Sequence, residues 1–78
     1  MYFDDLAKVL KEDYFVEEEI KPESRFKEDL GIDSLMTMQL LLDLEEKFEI
    51  TVQTEDTEGI TTVADAVKLI ETKIKEKE

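Results

Sequence analysis

Apolar positions along this chain fall into three helical stripes separated by two polar stretches. In the first stripe, Phe3, Leu6 and Leu10 recur at helical spacing with Val9 beside them, which predicts a helix from roughly Tyr2 to Tyr14. Asp4 and Asp5 suit its positive N-terminal end. In the last stripe, Val63, Ala66, Val67, Ile70 and Ile74 repeat regularly, predicting a helix that starts after Thr62. Thr62 and Asp65 have capping-box spacing, with Asp where the box normally carries Glu, so an imperfect cap is expected. The charged tail Lys73–Glu78 is expected to fray.

The central stripe predicts a helix from about Ser34 to Phe48 with Asp33 as its N-cap. At roughly 100° per residue, Leu40, Leu41, Leu44 and Phe48 share one sector about 100° wide. Leu35, Met38 and Leu42 cluster on the other side of the wheel within about 60°, and Met36 sits near neither centre. A chain of 78 residues cannot bury a central helix on all sides. One stripe should therefore pack inward. The other, flanked by Gln39, Glu45, Glu46 and Glu49, is either ordinary surface or a docking face ringed by acids.

The connecting stretches read differently. Phe15 to Asp33 lacks periodicity, and Pro22 pushes Lys21 toward an extended conformation. Phe15, Ile20, Phe26 and Leu30 are the expected anchors of an ordered loop with short helical turns, and Gly31 offers a flexible point before the central helix. Ile50-Thr51-Val52 is strand-like by propensity but has no partner strand, so it reads as an extended link. A short helical piece is expected over Thr54–Glu58, ended by Gly59. The expected fold is all-α: one domain over residues 1–78, with three longer helices and one short one.

Charge and chemistry narrow the picture. The net charge is −12, from 22 acidic and 10 basic residues, so the chain should repel nucleic acid and anionic membranes and favour partners with basic patches. There is no Cys and no His, which excludes disulfides, thiolate metal sites, Cys nucleophiles and Ser-His catalysis. Neither Gly31 nor Gly59 sits in an EF-hand pattern, and no metal site is expected. A hydrolase using paired carboxylates would need a cleft that so small a helical chain hardly offers. Catalytic residues are therefore expected to be absent. Met1-Tyr2-Phe3-Asp4-Asp5 is no signal peptide, and no stretch is long and apolar enough for membrane insertion, so a cytoplasmic monomer is expected.

Ser34 stands at the start of the central helix. Either Ser34 or Asp33 can serve simply as its cap, and a phosphate ester at that position would also be favoured by the free amides and positive potential of a helix N-terminus. The surrounding segment, Asp29-Leu30-Gly31-Ile32-Asp33-Ser34-Leu35, resembles the attachment motif of bacterial acyl carrier proteins of the type II, phosphopantetheine-dependent kind. The resemblance continues through Leu44-Glu45-Glu46-Lys47-Phe48 and Ile60-Thr61-Thr62-Val63, with Ala66 three further on. It includes Phe26, covers nearly the whole chain, and is weakest in the first helix.

By that resemblance the fold is a right-handed helical bundle, and Ser34, flanked by Asp33 and Leu35, receives 4′-phosphopantetheine from coenzyme A. A separate phosphopantetheinyl transferase performs the transfer. The arm carries acyl groups as thioesters between acyl-processing enzymes, most simply those of fatty acid biosynthesis. A specialised carrier for a polyketide, amino-acyl or lipid-modification pathway is the alternative. The resemblance places Thr37, Leu44, Ile60 and Ala66 around the acyl chain, and Met36, Met38, Gln39, Leu42, Glu45 and Glu46 on the docking face. The family commonly has acids where Met36 and Gln39 stand, so this docking face is expected to lean on apolar contact more than most.

Overall fold

The computed structural model describes residues 2–77. Four helices follow one another: α1 (Tyr2–Asp13), α2 (Ser34–Phe48), α3 (Thr54–Thr57) and α4 (Val63–Lys77). The long helices fall where the apolar stripes put them. Leu6, Val9 and Leu10 of α1, Leu40, Leu41 and Leu44 of α2, and Val63, Ala66 and Ile70 of α4 are buried in a common core. Helix α1 packs chiefly on α4, and α2 closes against α4. Tyr2 and Phe48 meet edge to face, with ring centroids 5.7 Å apart, joining the start of α1 to the end of α2.

The 20-residue segment between α1 and α2 is ordered by backbone pairing as well as by anchors. Ile20, Phe26, Leu30 and Ile32 are buried. Phe26 N–H donates to Thr61 at 3.0 Å, and the chain bridges Arg25 to Thr62. In return the loop carbonyls serve α4: Val63 N–H donates to Ser24 and Ala64 N–H to Pro22. Two of the four N-terminal amides of α4 that no helical carbonyl can reach are thus satisfied by the loop. The cap itself is complete. Asp65 N–H donates to Thr62 Oγ1, while the Asp65 carboxylate accepts from both Thr61 N–H and Thr62 N–H at 3.0 Å. The shorter acid reaches, so the expected imperfection does not arise.

Two expectations are corrected. Phe15 is no anchor: it is 79% exposed, with φ of 56°, and Val16 is buried in its place. The left-handed residue turns the chain after α1, so that the next side chain faces the core while Val16 N–H reaches back to the Leu10 carbonyl. The C-terminal tail is also not frayed. Helix α4 runs to Lys77, whose ammonium donates to the Phe48 and Glu49 carbonyls at 2.9 Å each, and Lys73 pairs with Asp56 at 3.0 Å. Cations placed on carbonyls that end another helix hold this last turn in place. Glu78 lies outside the described residues. No helix among the described residues is long and apolar enough to cross a membrane.

Candidate functional site

Gly31 has φ of +69°, a conformation that costs a residue without Cβ little, and it turns the loop into α2. Ile32 is then buried, and Asp33 is extended with ψ of −179°. The Asp33 carboxylate accepts from Met36 N–H at 2.8 Å. Its carbonyl accepts from Thr37 N–H at 2.8 Å and from the Thr37 hydroxyl at 2.9 Å. Asp33 is therefore the N-cap, and Ser34 is the first helical residue. The ambiguity between them is resolved: Ser34 is not needed as a cap. It is exposed, and its hydroxyl makes no hydrogen bond among the described residues.

The chain has one other serine, Ser24, and the contrast is sharp. Ser24 is 7% exposed, and its hydroxyl oxygen accepts from Lys21 N–H at 2.9 Å. Its carbonyl is occupied by Val63. Of the two serines, Ser34 alone presents an exposed hydroxyl.

Beside Ser34 lies an open groove of about 430 Å³. Helix α2 contributes Ser34, Thr37 and Met38 to it. The segment running out of α3 contributes Thr57, Glu58, Ile60 and Thr61, and the loop adds Phe26, Lys27, Glu28 and Ile32. Of the four residues expected around an acyl chain, Thr37 and Ile60 line this groove. Leu44 and Ala66, 1% and 0% exposed, lie in the core and do not. Ile32, Thr57 and Thr61 were not anticipated. Ile32 carried a usable signal, an apolar residue sandwiched between the turn glycine and the cap, whereas the threonines carry none that distinguishes them from loop residues.

On the outer face of α2, Leu35, Met38 and Leu42 are 80%, 50% and 55% exposed and share one side, as the wheel predicts. The polar neighbours are less free than the pattern implies. Met36 is half-buried and packs against the core, so it does not extend the exposed cluster. The Glu45 carboxylate accepts from Val52 N–H at 2.8 Å, tying the link after α2 to the helix. Gln39 donates to Asp43 at 3.2 Å, and Asp43 in turn accepts from the Tyr14 hydroxyl at 2.6 Å. Burial first, and the Asp43 carboxylate second, push the Tyr14 phenol well above the ordinary tyrosine range. Glu46 remains exposed beside the apolar cluster.

The groove suits an arm bearing a phosphate at one end and an apolar load at the other. Ser34 offers an exposed hydroxyl at the positive end of α2, and Lys27 supplies a cation in the same groove. Phe26, Ile32, Met38 and Ile60 supply apolar surface.

Residues 4–70 match the family profile described as the phosphopantetheine attachment site. Over 71 residues the chain is 51% identical to the acyl carrier protein of Wolinella succinogenes, covering 90% of this chain and 93% of that protein. Over 70 residues it is 47% identical to the acyl carrier protein of a Sulfurovum species, covering 88% and 93%. Among solved structures, the acyl carrier protein of Thermotoga maritima has the same fold with a TM-score of 0.88. It is 24% identical, and the match covers 100% of this chain and 96% of that one.

Proposed function

The chain belongs to the acyl carrier proteins, which bear 4′-phosphopantetheine and are carriers rather than enzymes, and from that premise we propose that Ser34 is the attachment residue and that the pathway served is fatty acid biosynthesis. The observation that carries the assignment is the contrast between the two serines. Ser34 presents a free hydroxyl at a helix start beside a groove, and Ser24 is buried and hydrogen-bonded. When bound, the arm supplies the thiol on which acyl groups ride as thioesters. The protein's own residues do the rest. Asp33 fixes the first turn of α2 and so the direction in which Ser34 Oγ points. Lys27 and the amide end of α2 favour a phosphodiester in an otherwise strongly negative molecule. Thr37, Met38 and Ile60 offer the apolar and hydroxyl surface along which an acyl chain can lie. Leu35, Met38 and Leu42, rimmed by Glu46, form the face that partner enzymes would grip. Exposed charges of that kind steer the encounter, and the apolar cluster holds the complex.

Met36 and Gln39, which stand where the family commonly has acids, keep the specialised carrier as the alternative, and both have local explanations. Gln39 is engaged with Asp43, and Met36 packs inward. Neither needs an unusual partner to account for it, which supports the fatty-acid reading. The test is intact-mass measurement after incubation with coenzyme A and a broad-specificity phosphopantetheinyl transferase, followed by acyl loading and elongation with a bacterial fatty acid synthase. One arm is expected, then one acyl chain that lengthens; Ser34→Ala should take neither. A wild-type protein that is armed but never elongated would overturn the pathway and leave the carrier role.

A further inference from the structure

Helix α3 is only four residues long and buries none of them. A single turn of this kind cannot hold itself together in water. Local bonds give it part of its order: the Asp56 carboxylate accepts from Gln53 N–H at 2.9 Å, Asp56 N–H donates to the Gln53 carbonyl, and the Thr57 hydroxyl donates to Thr54. These bonds fix the shape of the turn but not its place. Among the described residues, α3 itself is tied to a long helix by the ion pair between Asp56 and Lys73 of α4, at 3.0 Å, with side chains 24% and 16% exposed. Lys73 also approaches Glu76, at a looser 3.7 Å. The last residue of this turn, Thr57, lines the groove beside Ser34, and so do Glu58, Ile60 and Thr61 just after it.

We propose that Lys73 and Asp56 are positioning residues that hold α3 at the edge of the groove and so set how well that groove shelters an acyl chain, an inference that rests on the carrier reading above. A half-buried pair is more strongly coupled than one on the open surface, and it is the kind of contact whose loss frees a segment that has little burial of its own. The pair acts through α3 and touches neither the arm nor its load.

The test uses Lys73→Met, which removes the cation and leaves the Asp56 cap intact, with Lys73→Arg as the conservative rescue. In the apo protein, amide exchange at Asp56 and Ile60 should rise about threefold to fivefold in Lys73→Met and return to the wild-type rate in Lys73→Arg. Exchange at core amides such as Leu10 should change less. In the octanoyl-loaded protein, cleavage of the thioester by hydroxylamine should quicken by a similar factor. Unchanged exchange around α3, or an equal rise throughout the core, would overturn the latch. A local rise in exchange with no change in thioester cleavage would overturn its link to sheltering. Failure to load would count against Ser34 as the attachment residue, and the apo exchange would still decide the latch.

Discussion

Asp65 shows how one short side chain can set both a helix start and a response to acid. Its carboxylate accepts from the Thr62 and Thr61 amides, and those bonds, with Lys68 a lesser influence, hold it below the usual carboxylate range. A depressed value means that the ionised form is favoured by folding. The stability it contributes is full above the unfolded value near 3.8 and is lost as pH falls through the lower folded value. Asp65→Ala should cost about 1–2 kcal/mol at neutral pH, the usual worth of an N-terminal cap. Asp65→Asn keeps an acceptor but cannot titrate. Between about pH 4 and pH 2 the melting temperature of the wild type should therefore fall more steeply than that of Asp65→Asn. Parallel curves would show that this carboxylate is not a source of the acid sensitivity. Phe15 is the counter-example at the same scale. A bulky residue at positive φ with most of its surface in water is one that no hydrophobic pattern reveals, because Phe15 and Val16 are both apolar and the pattern cannot say which turns inward.

At the scale of elements, the ends matter more than the middles. The faces of α1, α2 and α4 were legible because burial imposes a helical period, and both stripes of α2 lie where that period places them. What periodicity could not show was the use made of polar residues between elements. Glu45 binding Val52 depends on how the link folds back after α2, and Tyr14 donating to Asp43 and Lys77 covering the last carbonyls of α2 depend on distances between segments far apart in the chain. For the same reason no pattern could say that, of the four residues expected around an acyl chain, Thr37 and Ile60 border the groove while Leu44 and Ala66 lie deeper in the core, since the spacing that puts a residue inward does not say how far inward. The end of α2 offers a direct check. Glu49 sits at φ of 54°, and its amide and that of Ile50 both return to the Glu45 carbonyl. Glycine is the residue best suited to this left-handed position, and a negative charge is unfavourable at a helix C-terminus. Glu49→Gly should stabilise the protein by about 0.5 kcal/mol, the strain relieved less the entropy glycine loses. A lower melting temperature in that variant would mean that the Glu49 side chain makes a contribution larger than its strain.

At the scale of the whole molecule, the net charge of −12 is spread over only 78 residues. Mutual repulsion of this size opposes compaction and is screened by salt, with a Debye length of about 10 Å at 0.1 M. The melting temperature of the apo protein should rise from low to moderate salt, and rise further with millimolar divalent cations. Indifference to both would mean that the ion pairs and caps already offset the repulsion. The same field bears on function. A phosphodiester added to so acidic a protein needs local compensation, and the start of α2 with Lys27 nearby is where the fold offers it. The central claim is that Ser34 carries the arm, and the most direct measurement is to localise the added mass. After treatment with coenzyme A and a phosphopantetheinyl transferase, the protein is digested and its peptides fragmented. The arm should be found once, on Ser34; finding it on Ser24 or on a threonine, or finding none, would contradict the account.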